Sequence, residues 1–300
     1  MLLSLAGNSE RESRMNWQAS TYYEPFHWPL WCDPDDCMIP CIVSWRFVPH
    51  AIIHLAIFYF GAAVATILKS RGIVWSDKSF SGIFDVAWHV PNLGPCVPMS
   101  LMALRAVADL WQGDDARLSW GAREHPLVTE PCVWFGTYLA VDSVLMLLHG
   151  LGDREMLVHH IIFGVVCFVM FSSCSAPLLG AALLAQEFST PFLNVFLLLR
   201  GYRGMESPMT ILAFLLFALA FYAMRVFLNS AVTFGFLKEA YASLTGPPGA
   251  SELIYSPQEL VPLSLVLIVA WAMQLYWGVS IAIKIQRAVA GDDEDKAKSE

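Results

Sequence analysis

Three residues set the chemical question in this chain: the adjacent pair His159-His160 and, 27 positions further on, Glu187. They fall on the two arms of an apolar hairpin predicted over 156–199. Its second arm carries Gln186-Glu187-Phe188-Ser189-Thr190-Pro191-Phe192-Leu193-Asn194. An imidazole in a partly dry site acts as nucleophile or general base, and a carboxylate holds its tautomer or accepts the proton of an attacking amine. Ionisable groups inside a lipid-like stretch are costly, so they are functional-site hypotheses wherever they occur. The competing structural explanation is an interhelical hydrogen-bond network, with His159 and His160 at a helix start and Glu187, Ser189 and Asn194 bonding across helices.

The elements that must position these groups are membrane helices. With 300 residues, 56% hydrophobic and 15% charged, and a mean hydropathy of +0.53, the chain lies outside the soluble class and reads as an all-α polytopic membrane protein. Its net charge of -8 is carried largely by the two ends. No basic stripe is present, which argues against nucleic acid as a partner. The seven cysteines have neither zinc-ribbon nor thioredoxin spacing. Asp33, Asp35 and Asp36 imitate a calcium loop but lack its glycine and distal glutamate, so no metal site is expected. Met1 to Ala6 is too short for a signal-peptide core, and the first span is expected to start insertion.

Apolar runs of about 20 residues predict seven spans: 47–68, 91–111, 131–151, 156–175, 177–199, 208–237 and 260–285. The organisation is then an N-terminal lumenal or external segment 1–46, a transmembrane region 47–287 and an acidic cytosolic tail 288–300. Arg105 and Asp109 interrupt the second span, and their spacing of four allows pairing on one helical face. Ten Lys and Arg on the C-terminal side against six on the other favour a cytosolic C-terminus. Lys296 and Lys298, third and fifth from the end, resemble a dilysine retrieval signal for the endoplasmic reticulum. This orientation puts Cys32, Cys37, Cys41, Cys132 and Cys174 at or near the lumenal side, where one or two disulfides can persist.

Counted inward from the cytosolic ends at 1.5 Å per residue, His159 and His160 lie about 6 Å deep and Asn194 about 9 Å. Asp142, Glu187 and Gln274 lie roughly 15 to 20 Å deep. The simplest arrangement is a polar cavity facing the cytosol, with Asp142, Ser189, Asn194 and Gln274 as substrate-binding groups. Adjacent helix residues point about 100° apart, so one histidine of the pair enters the cavity and the other packs. His160 is preferred, because Gly164 and Cys167 follow it at four and seven and leave room for a helix or an acyl chain. Arg225 either snorkels to headgroups or pairs with Glu187 or Asp142, and the pair is favoured.

Together these residues resemble a TLC domain, the membrane module shared by ceramide synthases and the TLC-domain-containing proteins, over about 75–287. The likeness rests on Tyr138-Leu-Ala-Val-Asp142, His159-His160, Glu187-Phe-Ser189-Thr190-Pro191-Phe-Leu-Asn194 and Gln274-Leu-Tyr276-Trp277. It is nearer the TLC-domain-containing branch than true ceramide synthases. The resemblance implies catalytic roles for His160, His159 and Glu187, with acyl-CoA as co-substrate and a long-chain base as acceptor. Thr190 stands where the second motif aspartate of the synthases falls, and the homeobox-like segment is absent. Two functions follow: an endoplasmic reticulum acyltransferase, or a non-catalytic lipid-homeostasis protein that binds membrane lipids, a fatty-acyl group or client proteins. Whether the chain forms a homo-oligomer is left open.

Overall fold

A computed structural model describes residues 39–73, 83–111, 120, 125–173, 176–247, 249–251, 253 and 255–290, excepting the side chains of 39–46, 126, 168–173 and 288–290. The expectations for Cys32, Cys37, Asp33, Asp35, Asp36, Lys296 and Lys298, and for the side chains of Cys41 and Cys174, lie outside these residues.

Helices account for all the regular structure among the described residues: α1 (Ile39–Ser70), α2 (Ile83–His89), a 3-10 turn (Pro91–Leu93), α3 (Cys96–Trp111), α4 (Pro126–His149) and α5 (Arg154–Ser173). There follow α6 (Pro177–Ala185), a 3-10 turn (Gln186–Ser189), α7 (Thr190–Arg203), α8 (Pro208–Phe221), a π-helical segment (Tyr222–Leu228), α9 (Asn229–Thr245) and α10 (Pro257–Ala290). Among the described residues, six stretches are long and apolar enough to cross a bilayer: Phe47–Ser70, Ile83–Trp111, Leu127–His149, Pro177–Arg203, Pro208–Thr245 and Pro257–Arg287. The fourth predicted span is α5, a 20-residue helix opening on Arg154-Glu155. At 1.5 Å per residue it is about 30 Å long, comparable to the hydrocarbon layer.

Proline marks where helices begin. Pro126, Pro177 and Pro208 occupy first-turn positions, where a missing N–H is lost from a group that has no intrahelical partner. At the other end of α4, Gly150 adopts φ 64° and its N–H bonds Met146 O, closing the helix and turning the chain into α5. Only four residues separate α4 from α5, so the two run antiparallel. The second span begins at Ile83 and not at Pro91: Pro91 ends α2 and opens a 3-10 turn, and the helix resumes at Cys96. Arg105 Nε donates to both carboxylate oxygens of Asp109 at 3.1 Å on an exposed face, the pairing that their spacing allows.

The core lies around α6, all nine residues of which are buried. Gly180, Ala181, Ala182 and Ala185 give it a slim profile that neighbouring helices approach closely. Phe135, Leu139, Phe163, Phe236, Leu260 and Leu267 close around it. The outer surface is apolar as well, with Leu147, Leu148, Leu219 and Phe227 each about 70% exposed. Such a surface suits hydrocarbon as its solvent.

Candidate functional site

The site is centred on Asp142, a carboxylate on α4 with no exposed surface. A buried carboxylate is tolerable only when it is paired, hydrogen-bonded or protonated. Trp88, from α2, donates its Nε1–H to Oδ1 at 2.9 Å and to Oδ2 at 2.8 Å. His160 Nδ1, from α5, lies 3.4 Å from Oδ2, and His54 Nε2, from α1, lies 3.7 Å from Oδ1. Four helices therefore meet on one carboxylate. Tyr138 covers the cluster, its ring edge-on to His54 at 5.1 Å and 6.0 Å from that of His160.

His159 and His160 diverge as the helical turn requires. His159 packs with ring centroids 4.4 Å from Phe163 and 5.3 Å from Trp277. His160 instead lines an apolar cavity of about 450 Å³ between α4 and α5. With Nδ1 turned to Asp142, Nε2 is the nitrogen left for a ligand, and the carboxylate favours the tautomer that gives Nε2 its lone pair.

Glu187 belongs to a second network. Pro191 lacks the N–H that would bond the Glu187 carbonyl in an α-helix, so the chain tightens and the Thr190 N–H bonds it in 3-10 fashion. Facing it, Arg225 projects from the wide π-helical segment between α8 and α9. Its NH2 donates to Glu187 Oε1 at 3.1 Å and to Thr190 Oγ1 at 3.0 Å, and its Nε donates to Ser189 Oγ at 2.9 Å. Thr190 Oγ1 in turn donates to Glu187 Oε2 at 2.6 Å. Of the two sequence readings of Arg225, the structure holds the buried ion pair with Glu187. Glu187 is thereby committed to a guanidinium, while Asp142 is the carboxylate beside the imidazole.

The remaining predicted residues lie apart from one another. Asn194 donates Nδ2 to Thr190 O at 2.8 Å, and its Oδ1 lies 2.6 Å from His89 Nδ1. Gln274 is fully buried on α10, and its amide makes no hydrogen bond. The structure thus brings Asp142 to His160, gathers Ser189 and Glu187 around Arg225, and ties Asn194 to His89. It adds three groups that the sequence reading did not single out: Trp88, His54 and His89. His54 was detectable by the rule that flagged Glu187, as an ionisable group in an apolar segment, whereas His89 falls just before the predicted start of the second span. Trp88 carried no comparable signal.

The predicted cavity was polar and opened to the cytosol. The one observed at His160 is apolar and runs away from the α4–α5 turn: Asp142, Ser189 and Asn194 are engaged by Trp88, Arg225 and His89, and Gln274 is buried elsewhere on α10. Cys132, a predicted disulfide candidate, is a buried free thiol on this cavity wall, as is Cys167.

Fold and site define a polytopic α-helical membrane protein with buried charge networks at its centre. The sequence pattern of the TLC domain matches residues 96–283, and the chain belongs to the TLC domain family. No curated protein gives a significant match to this sequence.

Proposed function

We propose that this TLC protein acts in lipid homeostasis in the endoplasmic reticulum membrane, and that the His160–Asp142 pair transfers a fatty-acyl group from acyl-CoA to the amine of a long-chain base. The observation that carries the reading is the position of His160, with an apolar cavity on one side and a fixed, buried carboxylate 3.4 Å from Nδ1 on the other. Nε2 attacks the thioester carbonyl, an N–C bond forms, the C–S bond breaks, and the coenzyme leaves as its thiol with the proton that Nδ1 gives up. The amine then attacks the acyl-imidazole, the bond to Nε2 breaks, and the amine's proton returns to the imidazole as the amide forms. Asp142 stabilises the imidazolium character that develops in both steps, and Trp88 keeps the carboxylate oriented.

A second reading is favoured by the Glu187–Arg225 pair. If Glu187 only holds the start of α7 to the π-helical segment between α8 and α9, the bundle is a lipid-binding scaffold without catalysis. Incubating the purified protein with isotopically labelled acyl-CoA, without acceptor, separates the two. An acyl mass increment on His160 supports transfer. Bound lipid with an unmodified His160 supports the scaffold.

A further inference from the structure

The turn between α4 and α5 carries two glycines in the left-handed region, Gly150 at φ 64° and Gly152 at φ 65°. Both are exposed, and both spare the turn the strain that a side chain meets at such angles. Their surroundings differ. A Cβ built on Gly150 meets nothing within 4 Å, whereas one built on Gly152 would lie 2.9 Å from Trp88 Cη2, 3.5 Å from Trp88 Cζ2 and 2.8 Å from Met146 Cε. Conformation alone accounts for the glycine at 150, while at 152 conformation and space both require one.

The atoms that Gly152 faces belong to the donating edge of the Trp88 indole, since Cη2 is bonded to Cζ2, and Cζ2 and Nε1 share a bond to Cε2. Nε1 in turn bonds both oxygens of Asp142, at 2.9 and 2.8 Å. One rigid ring edge thus reaches from an exposed turn to a carboxylate with no exposed surface. The turn has little room to retreat. Leu151 is buried, its N–H bonds Met146 O at 3.0 Å, and Asp153 Oδ1 accepts from the Met156 N–H at 2.8 Å. Met146 ends in a flexible thioether that can turn aside, but the indole has no internal rotation by which to yield. A Cβ at 152 therefore displaces Trp88, by about the half ångström that separates 2.9 Å from ordinary carbon–carbon contact.

We infer that Gly152 is a positioning residue for the His160–Asp142 pair: the absence of a side chain there lets the Trp88 indole reach Asp142 and hold the oxygen that faces His160. The contact runs from Gly152 through Trp88 and Asp142 to the buried imidazole, and its last step is the 3.4 Å approach of His160 Nδ1 to Oδ2. A displaced indole lengthens or bends two short bonds whose strength depends on alignment, and the carboxylate plane turns with it. Misplacement on this scale slows a reaction by about tenfold to a hundredfold. The loss falls on the chemical step, because Asp142 acts on charge that develops in the transition state while the substrate-binding surfaces stay in place. The inference deepens the proposed function by adding a residue in the exposed turn to the groups that set the site, and it rests on that reading for the reaction that is slowed.

The test places asparagine, which tolerates the left-handed region but carries a Cβ, at each glycine in turn in the full-length chain. In protein grown with isotopically labelled tryptophan, the indole N–H resonance of Trp88 is the one missing from Trp88→Phe. Gly152→Asn should move that resonance and lower kcat for acyl transfer about tenfold to a hundredfold with KM nearly unchanged, and Gly150→Asn should do neither. Adding Trp88→Phe, which removes the indole edge, should leave the double variant no slower than Trp88→Phe alone, and should restore folding if Gly152→Asn by itself does not fold. An unmoved resonance in Gly152→Asn, an equal shift in Gly150→Asn, a shifted resonance with undiminished kcat, or no rescue in the double variant overturns the inference. A resonance that shifts as expected in a chain whose unaltered form makes no amide leaves the placement of Asp142 standing and removes the transfer reading. Transfer by the unaltered chain with an unmoved resonance does the reverse.

Discussion

Trp88 Nε1 bonds both oxygens of Asp142, at 2.9 and 2.8 Å, from a helix 54 residues earlier in the chain. A donor shared between the two oxygens holds the carboxylate plane in one orientation, and that orientation fixes which oxygen faces His160. Trp88→Phe keeps the ring packing and removes the donor. It should destabilise the protein by about 1 to 3 kcal/mol, the range for a buried acceptor left short of its bond. The fall in thermal midpoint measures it, and an unchanged midpoint would show that the bond does not hold Asp142.

Asp142→Asn tests the carboxylate itself. The amide is nearly the same size, but it no longer stabilises an imidazolium or selects the His160 tautomer. N-acyl transfer should drop by about two to four orders of magnitude while the protein stays folded. A variant with undiminished transfer would free His160 from any dependence on Asp142.

Glu187→Gln is expected to act on stability. It leaves Arg225 buried with its charge unpaired, a loss of about 3 to 5 kcal/mol that appears in expression level and thermal midpoint. Adding Arg225→Met removes the stranded charge and should recover much of that loss. If Glu187→Gln keeps full stability but abolishes transfer, the carboxylate serves the chemistry and not the scaffold.

How much of this was legible in the sequence follows from the kind of signal each feature leaves. Apolar runs gave the helices, and an ionisable group inside such a run gave Asp142, the histidine pair, Glu187 and Arg225. The spacing of four gave the Arg105–Asp109 pair. What the sequence withheld was partnership over long separations. The sequence offers Arg225 as a partner for Glu187 or Asp142, but nothing local to Glu187 says that its carboxylate takes Arg225, 38 residues on, and leaves His160 to Asp142. The reason is backbone irregularity, since Pro191 tightens one helix and the π-helical segment widens the other, and neither turn follows the 3.6-residue count used to assign faces. The break at 90–95 had the same effect, because a span predicted to start at Pro91 excludes Trp88 and His89.

The orientation and the tail carry a separate expectation. A reporter fused after Glu300 should be accessible to protease in sealed microsomes, and Lys296→Ala combined with Lys298→Ala should release the protein from the endoplasmic reticulum. A protected reporter would reverse the orientation, and unchanged location in the double variant would make the two lysines incidental.

The most direct measurement is N-acyl transfer by the purified protein from labelled acyl-CoA to a long-chain base, comparing the unaltered chain with His160→Ala and His159→Ala. The unaltered chain should form the amide, and His160→Ala should lose it while binding acyl chains as before. His159→Ala should retain most of the activity if its packing tolerates the change. Absence of product from a folded, unaltered chain, or full activity in His160→Ala, would contradict the assignment of His160 as the acyl-transfer residue.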